Sequence, residues 1–261
     1  MSNQKITFSF GKNWQSYLTR ISESQIKDSI QDIIEWVKKE NIVGKKILDI
    51  GSGSGIHSLA FYKLGVKEVV SFDLDSASVE ATRSLWIKTG KPSCWKIFKG
   101  SILDKEFLEN LDQYDMVYSW GVLHHTGKIW EAIKNAAILV KDSGFFLISI
   151  YVKGPNYIKH LQLKKKYNNS SFIGKKLMEI AMILERMYNR IKHHQNPLKW
   201  NEQKKRGMDT YHDIVDWLGG LPYEVASTSE VISFCKKLGF NLIRLKEATE
   251  GGCNVYLFQK S

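Results

Sequence analysis

The sequence predicts a doubly wound α/β fold: a mostly parallel seven-stranded sheet with a helical cap inserted before the last helix and two strands. Three observations support this fold class. Strand-like and helix-like apolar patterns alternate over residues 22–151, as in successive βαβ units. A glycine-rich turn follows the first predicted strand. A basic helical segment of about 75 residues then interrupts the sheet, which is too long for a simple connection.

The predicted strands are short apolar runs bounded by turn residues, at residues 46–50, 68–73, 95–98, 114–119, 144–151, 241–246 and 254–259. Helical spacing of apolar residues precedes the first strand and the fifth. We therefore expect three parts: an N-terminal lid or strap at residues 1–21, a sheet domain at residues 22–151 and 226–261, and a helical cap at residues 152–225.

The cap holds most of the net charge of +11. Residues 158–206 contain thirteen Lys or Arg against three Glu, whereas the rest of the chain is close to neutral. Within the cap, one helix face is apolar, with Ile173, Leu177, Ile180, Leu184, Met187 and Ile191. We expect this face to pack over the crevice at the strand ends; a helix lying on a membrane surface is the alternative. A Lys-rich solvated face, an anionic substrate and nucleic acid are further interpretations of the charge.

Composition favours a cytoplasmic globular protein. The 261 residues are 43% apolar, which is enough for a large core. Three cysteines, at Cys94, Cys235 and Cys253, have no metal-ligand spacing and fit a reducing compartment. The first residues lack the apolar core of a signal peptide, and no apolar run reaches the length of a membrane span.

The glycine-rich turn at residues 46–57 (KILDIGSGSGIH) predicts a nucleotide-type crevice. Its glycines allow a turn without Cβ clashes and let a ligand approach the main chain; they are Gly51, Gly53 and Gly55. The third glycine comes one residue too early for a dinucleotide fingerprint. Asp49, an acid on an apolar strand, needs a partner such as an ammonium group. The amino acid end of S-adenosylmethionine (SAM) provides one.

Asp73 ends the second strand, 22 residues after Gly51. An acid at this position can accept hydrogen bonds from both hydroxyls of a ribose. The competing interpretation is a helix cap, but Asp75 or Ser76 can cap the next helix equally well. Two further strand ends follow in order, near residues 98–104 and 114–125, and complete the crevice.

This combined pattern resembles the class I SAM-dependent methyltransferases, and it is similar to the small-molecule enzymes related to ubiquinone-pathway O-methyltransferases. The resemblance runs from residue 8 to residue 258 and is specific for the cofactor rather than for the acceptor. It implies that the methionine end of SAM contacts Asp49, Gly51, Ser52, Gly53 and Gly55. It also implies that Asp73 and Leu74 contact the ribose side, Ser101 and Ile102 the adenine, and Trp120 the sulfonium. Trp14, in the N-terminal lid, is expected to close over the cofactor.

Four residues are candidates for acid–base work or acceptor recognition: His124, His125, Tyr211 and His212. A histidine has a pKa suited to removing a hydroxyl proton, and His124 and His125 follow the fourth strand, where α/β sheets bind ligands. We favour His125 as the base. For either ring the alternative is bracing of the loop through a backbone hydrogen bond, because adjacent side chains rarely point into one pocket. Tyr211 and His212 form a polar cluster with Asp213, which is expected to face the crevice from a cap helix. The alternative places Tyr211 and His212 on the solvent side of that helix.

The leading hypothesis is therefore methyl transfer from SAM to a hydroxyl of a small-molecule acceptor, which can be anionic or lipid-linked, without a metal. One alternative is RNA modification, because residues 121–125 also resemble the strand-four motif of tRNA wobble-uridine carboxymethyl transferases and the basic cap can track phosphates. Another is a non-catalytic SAM-binding protein. The sequence leaves the oligomeric state open.

Overall fold

A computed structural model describes residues 8–11, 13, 22–201 and 210–261. Its centre is a seven-stranded sheet with the strand order β3-β2-β1-β4-β5-β7-β6. The strands are β1 Lys46–Ile50, β2 Glu68–Asp73, β3 Trp95–Lys99, β4 Tyr114–Trp120, β5 Val140–Tyr151, β6 Phe240–Lys246 and β7 Cys253–Lys260. Strands β1 to β5 pair in parallel, and β7 is antiparallel to both of its neighbours. The expected mostly parallel α/β sheet is confirmed.

Helices cover both faces of the sheet. They are α1 Glu23–Trp36, α2 Ile56–Lys63, α3 Ser76–Lys88, α4 Lys105–Glu109, α5 Ile129–Ile138, α6 Tyr157–Asn169, α7 Phe172–Lys192, α8 Thr210–Gly219 and α9 Thr228–Lys237, with short 3₁₀ turns at Lys39–Asn41, Leu123–His125 and Pro197–Lys199. Local capping sets several starts: Asp75 accepts a hydrogen bond from the N–H of Ala77 at the start of α3, and Ser227 forms a capping box with Glu230 at α9.

Strand alternation divides the core into two layers. On β1, Ile47 packs with the cluster under α1, α2 and α3, whereas Leu48 and Ile50 pack with the cluster under α5 and α9. Asp49 follows the same alternation and therefore lies on the α2 side of the sheet, at its carboxyl end. The core thus fixes the strand ends against which a ligand can bind.

The fifth strand begins earlier than predicted. It was predicted at residues 144–151, yet it starts at Val140, so the turn-forming residues Asp142, Ser143 and Gly144 lie inside β5. The pairing with β4 shifts register between Tyr114 and Met116, and Ser143 has a φ of 60°. An irregularity in the ladder therefore absorbs the turn residues without ending the strand.

The apolar face of α7 does not pack over the crevice, which corrects the expectation for the cap. Ile173, Leu177, Ile180, Leu184 and Ile191 are each at least 50% exposed. The opposite face of α7 packs instead, through Met178, Met182 and Ile183, on α6 and α8. The spacing of apolar residues in the sequence predicts an apolar stripe on α7, and the stripe is present. A second, shorter set of apolar residues on the opposite face makes the tertiary contacts.

Within the part of the chain that the structure describes, no helix is both long enough and apolar enough to cross a membrane.

Candidate functional site

The glycine-rich turn lies between β1 and α2 and is packed too tightly for side chains. Gly51, Gly53 and Gly55 have φ values of 73°, 54° and 80°, in the left-handed region that favours glycine. A Cβ at Gly51 would lie 2.4 Å from a methyl group of Val122, and one at Gly55 would lie 2.8 Å from Cα of Thr82. The turn therefore forms a cradle at the end of β1 that only glycine can form without displacement of its neighbours.

Asp49 is buried beneath this cradle and joins a hydrogen-bonded chain that crosses the sheet. The Ser58 hydroxyl donates to the Asp49 carboxylate, Ser58 and Ser71 hydroxyls lie 2.6 Å apart, and Trp95 Nε1 donates to Ser71 Oγ at 2.9 Å. Burial raises the pKa of Asp49 to about 7, against the stabilising hydrogen bond from Ser58. A cation placed beside this carboxyl group would favour its ionised form.

Asp73 ends β2 and faces the same cavity. Its two carboxylate oxygens accept hydrogen bonds from the backbone N–H groups of Gly53 at 3.0 Å and Asp75 at 2.9 Å. Burial raises the pKa of Asp73 to about 6, although these hydrogen bonds oppose the shift. Asp75 is the residue that caps α3, so the helix start does not require Asp73. Asp73 is thus held by the glycine turn itself, with its carboxylate on the cavity wall.

One cavity of about 930 Å³ connects these acids to the cap. The cofactor residues expected from the sequence lie together on its wall, namely Asp49, Gly51, Ser52, Gly53, Asp73, Leu74, Ser101, Ile102 and Trp120. Gly55 shapes the turn from behind, against α3. Trp14 lies outside the described residues. The predicted cofactor set, apart from these two residues, therefore converges on a single site.

The two adjacent histidines occupy different environments. His124 is fully buried, and its Nδ1 accepts a hydrogen bond from the N–H of Tyr151 at 3.3 Å. His125 lines the cavity, and its Nδ1 lies 2.6 Å from the carbonyl oxygen of Pro222. Since a carbonyl can only accept, Nδ1 of His125 carries the proton and Nε2 keeps its lone pair. His124 braces the loop, so of the two rings only His125 is placed to meet a ligand.

Burial lowers the pKa of His125 to about 3, with a further lowering from the charge of Lys164, while the hydrogen bond to Pro222 opposes both. The imidazole is therefore neutral throughout the physiological pH range. A Cβ at Gly220 would lie 2.7 Å from Cε1 of His125, so this glycine leaves the room that the ring occupies.

The comparisons with known proteins agree with this geometry. A family model described as a methyltransferase domain matches residues 18–171. The chain belongs to this methyltransferase family. Among curated relatives, the ubiquinone biosynthesis O-methyltransferase of Proteus mirabilis (strain HI4320) is 26% identical over 146 residues, which cover 52% of this chain and 58% of that protein. The ribosomal protein L11 methyltransferase of Staphylococcus haemolyticus (strain JCSC1435) is 28% identical over 126 residues, 48% of this chain and 37% of that protein. The chain thus spans less than two thirds of the length of either relative.

Solved structures share the fold of this methyltransferase. Magnesium protoporphyrin IX methyltransferase from Synechocystis PCC 6803 with bound SAH aligns with a TM-score of 0.57 and 15% identity, over 97% of this chain and 95% of that one. The same enzyme with bound SAM aligns with a TM-score of 0.55 and 12% identity, over 94% and 84% of the two chains. SAM is the cofactor of this methyltransferase. The glycine cradle and the two buried carboxyl groups fit it, because they offer close main-chain approach, a partner for a cation and acceptors for a diol.

The cap wall of the methyltransferase corrects the expectation for Tyr211 and His212. Neither residue lines the cavity. The Tyr211 hydroxyl lies 2.5 Å from both Lys176 Nζ and Glu179 Oε2, in a polar cluster between α7 and α8. His212 is buried, with its carbonyl oxygen accepting from Asn13 Nδ2 at 3.0 Å. Tyr211 therefore joins α7 to α8, and His212 contacts the N-terminal segment through its backbone; neither faces the cavity.

Three residues of α8 do line the cavity, and the sequence pointed to only one of them, Asp213. Asp213, Asp216 and Trp217 project from the turns that follow Tyr211 and His212. Burial raises the pKa of Asp216 well above its usual range, while a 2.9 Å hydrogen bond from Asn13 Nδ2 opposes this. Their spacing of three and four residues marks a single helix face and was the available signal. Adjacent residues of a helix point in different directions, so Tyr211, His212 and Asp213 do not share one face although they are neighbours in the sequence.

Lys164 is buried, so the basic run at residues 164–166 is not a uniformly solvated face. Its Nζ lies 4.4 Å from the ring centroid of Trp217 and 4.6 Å from that of Tyr223, and it donates to the carbonyl oxygen of Trp217. Burial lowers the pKa of Lys164 to about 7. Lys165 and Lys166, in contrast, are exposed. A run of three lysines on a helix therefore contributes two surface charges and one core residue.

Residues 8–11 connect the sheet domain to the cap. The Ser9 hydroxyl and the Gly11 N–H both donate to Asp75 Oδ2, at 2.8 and 2.9 Å. The rings of Phe10 and His125 lie 5.2 Å apart, and the Phe8 ring occupies the space beside Gly219. Phe8 and Phe10 line the cavity, so this part of the expected N-terminal lid borders the site.

Proposed function

We propose that this methyltransferase transfers the methyl group of SAM to a hydroxyl of a small-molecule acceptor. The observation that carries the proposal is the continuity of the cavity, which runs from Asp49 and Asp73 past His125 to the cap. The cofactor end and the acceptor end are thereby joined within one continuous cavity. A small molecule fits such a volume better than a folded macromolecule does.

The cofactor-end roles follow from the chemistry of each wall. The Asp73 carboxylate accepts hydrogen bonds from the ribose hydroxyls, and the Asp49 carboxylate balances the positive methionine end. The rest of the cradle, Gly51, Ser52, Gly53 and Gly55, fits the methionine end as well. Leu74 borders the ribose, Ser101 and Ile102 border the adenine, and Trp120 borders the sulfonium. When bound, SAM supplies a methyl group on a cationic sulfur, so the protein has to orient the acceptor and exclude water. Trp14 stays a prediction from the sequence for this role.

His125 is proposed to orient and deprotonate the acceptor hydroxyl. The bond from Nδ1 to Pro222 fixes the tautomer, so the Nε2 lone pair is free to accept a proton. The low pKa makes the ring a weak base, but it also keeps Nε2 unprotonated at neutral pH. The ring therefore accepts the proton only as the acceptor oxygen loses it.

The acceptor end favours a molecule with an apolar or aromatic body. Its lining includes Phe10, Tyr151, Leu163, Trp217 and Pro222. Such side chains bury flat apolar groups and exclude water from the reacting atoms. A lipid-linked acceptor is compatible with this wall, and the basic cap is compatible with an anionic one.

The acceptor class is tested by incubating the protein with methyl-labelled SAM and a host extract separated into small-molecule, lipid and RNA fractions. We expect label in the small-molecule or lipid fraction, and its loss in a Gly53→Val variant because a β-branched residue cannot adopt the φ of 54° without strain. Label in RNA would replace this proposal by RNA modification. Cofactor binding without label in any fraction would favour a non-catalytic SAM-binding protein.

The raised pKa of Asp49 predicts a pH dependence of cofactor affinity. SAM is cationic and prefers the ionised carboxylate, so protons must leave Asp49 on binding below a pH of about 7. Affinity should therefore rise with pH, and be about tenfold weaker at pH 6 than at pH 8. Isothermal titration calorimetry at both pH values, in two buffers of different ionisation enthalpy, measures the affinity and the proton release.

Asp49→Asn is the matched control for this prediction. It should bind SAM weakly at both pH values and lose most of the pH dependence, since the titrating group is gone. A wild-type affinity that is equal at pH 6 and pH 8 would contradict the pairing of Asp49 with the cationic end.

A further inference from the structure

The exposed stripe of α7 is the largest apolar feature outside the cavity among the described residues. Its members repeat at steps of three and four and are between 50% and 71% exposed: Ile173, Leu177, Ile180, Leu184, Tyr188 and Ile191. Phe172 at the start of the helix and Leu198 beyond its end are 74% and 78% exposed. From residue 173 to residue 191 the stripe extends about 27 Å along the helix, at 1.5 Å per residue. Leaving so many large apolar side chains in water is unfavourable unless something covers them.

The surroundings of the stripe are basic. Residues 158–201 hold ten Lys or Arg and two Glu, and one of these acids, Glu179, is buried against Tyr167 and Lys176. Exposed lysines of this part of the cap are Lys159, Lys165, Lys166, Lys192 and Lys199. Lys192 Nζ lies 5.5 Å from the ring centroid of Tyr188, at the margin of the stripe. An apolar stripe with cations at its margins complements a surface that has an anionic outer layer and an apolar interior.

We propose that α7 docks on the surface of an anionic lipid membrane, with its stripe below the headgroups and the cap lysines among them. The helix has two properties that such docking needs: an exposed apolar face and flanking lysines. Its opposite face is anchored to the protein through Glu179 and the packed residues Met178 and Met182. The helix therefore reaches the membrane as a preformed element, without an ordering step.

Charge distinguishes this partner from a second copy of the chain. A two-fold symmetric dimer built on the stripe would bring together two cap surfaces that both carry a net positive charge. Such like-charge contacts oppose association, whereas anionic headgroups attract every lysine of the margin. Nucleic acid would satisfy the lysines but would leave the apolar stripe uncovered.

The test is co-sedimentation of the purified protein with sucrose-loaded vesicles of phosphatidylcholine alone or with 30 mol% phosphatidylglycerol (about one charge in three lipids). We expect binding to the anionic vesicles that weakens with added salt. The paired substitution Ile180→Gln and Leu184→Gln should reduce partitioning at least about tenfold, because two exposed apolar side chains no longer enter the bilayer. Lys192→Gln should reduce it about fivefold.

Ile87→Gln with Ile138→Gln is the matched control pair, since both residues are exposed apolar side chains of the sheet domain, on α3 and α5, away from the cap. This pair should bind vesicles like the wild type. Equal loss in both pairs, or no anionic binding by the wild type, overturns the proposal. Sedimentation velocity tests for a dimer, and a titration with RNA tests for nucleic-acid binding. A dimer that the paired substitution Ile180→Gln and Leu184→Gln dissociates, or RNA binding without vesicle binding, overturns the proposal as well.

Discussion

Asp73→Ala is expected to weaken SAM binding at least about 100-fold. Two hydroxyls of a ribose can donate to this carboxylate, and hydrogen bonds to a charged group contribute about 1.5–3 kcal/mol each. The same carboxylate also holds the N–H groups of Gly53 and Asp75, so its loss loosens the glycine turn as well. Calorimetric titration with SAM measures the change directly.

Asp104→Ala is a suitable control for that experiment. Asp104 is also an acid beyond the end of a strand, and it caps α4 through a hydrogen bond from the N–H of Phe107, but it does not line the cavity. The Asp104→Ala variant should bind SAM with nearly the wild-type affinity. Loss of the helix cap should lower its free energy of unfolding by about 1 kcal/mol. Wild-type SAM affinity in Asp73→Ala would remove the ribose assignment.

His125→Ala is expected to lower kcat by about 10²–10⁴ while SAM affinity changes little, because a positioned base contributes about that much to a proton transfer. The activity of the wild type should show no histidine titration between pH 6 and pH 8, since the pKa of His125 is about 3. Added imidazole should partly restore turnover in His125→Ala if the missing group is a ring lone pair. The measurements are initial rates with the acceptor identified by labelling.

Tyr211→Phe is the control for this second variant. Its hydroxyl belongs to the polar cluster with Lys176 and Glu179, so removing it should alter stability more than kcat. A large kcat loss in Tyr211→Phe would return that residue to the catalytic candidates. Full activity in His125→Ala would exclude His125 as the base.

The sheet and the cofactor end were predictable because both depend on local patterns. A buried parallel strand is visible in the sequence as a short apolar run. The glycines of the turn and the helix cap at Asp75 depend on backbone geometry within a few residues, so they are visible in the sequence as well. Ser58, Ser71 and Trp95 were not predictable partners of Asp49, since three separate elements bring them together.

The cap was harder for a related reason. Helical periodicity shows that α7 has an apolar stripe, but it does not show which neighbour covers that stripe, and the structure leaves it exposed. Likewise, the residues next to Lys164 in the sequence resemble those next to Lys165 and Lys166. Lys164 is distinguished by its contacts with the aromatic rings of Trp217 on α8 and of Tyr223. Position in a run says little about burial when the contacts come from distant segments.

The two faces of α7 have a consequence for how this protein diversifies. Met182 and Arg186 face the cavity, whereas Ile180 and Leu184 face outward from the same turns. Substitutions on one face need not disturb the other, and neither set touches the glycine turn. Under the two proposals made above, substitutions on the inner face of α7 can change the choice of acceptor and substitutions on its outer face can change membrane docking, each without altering the other.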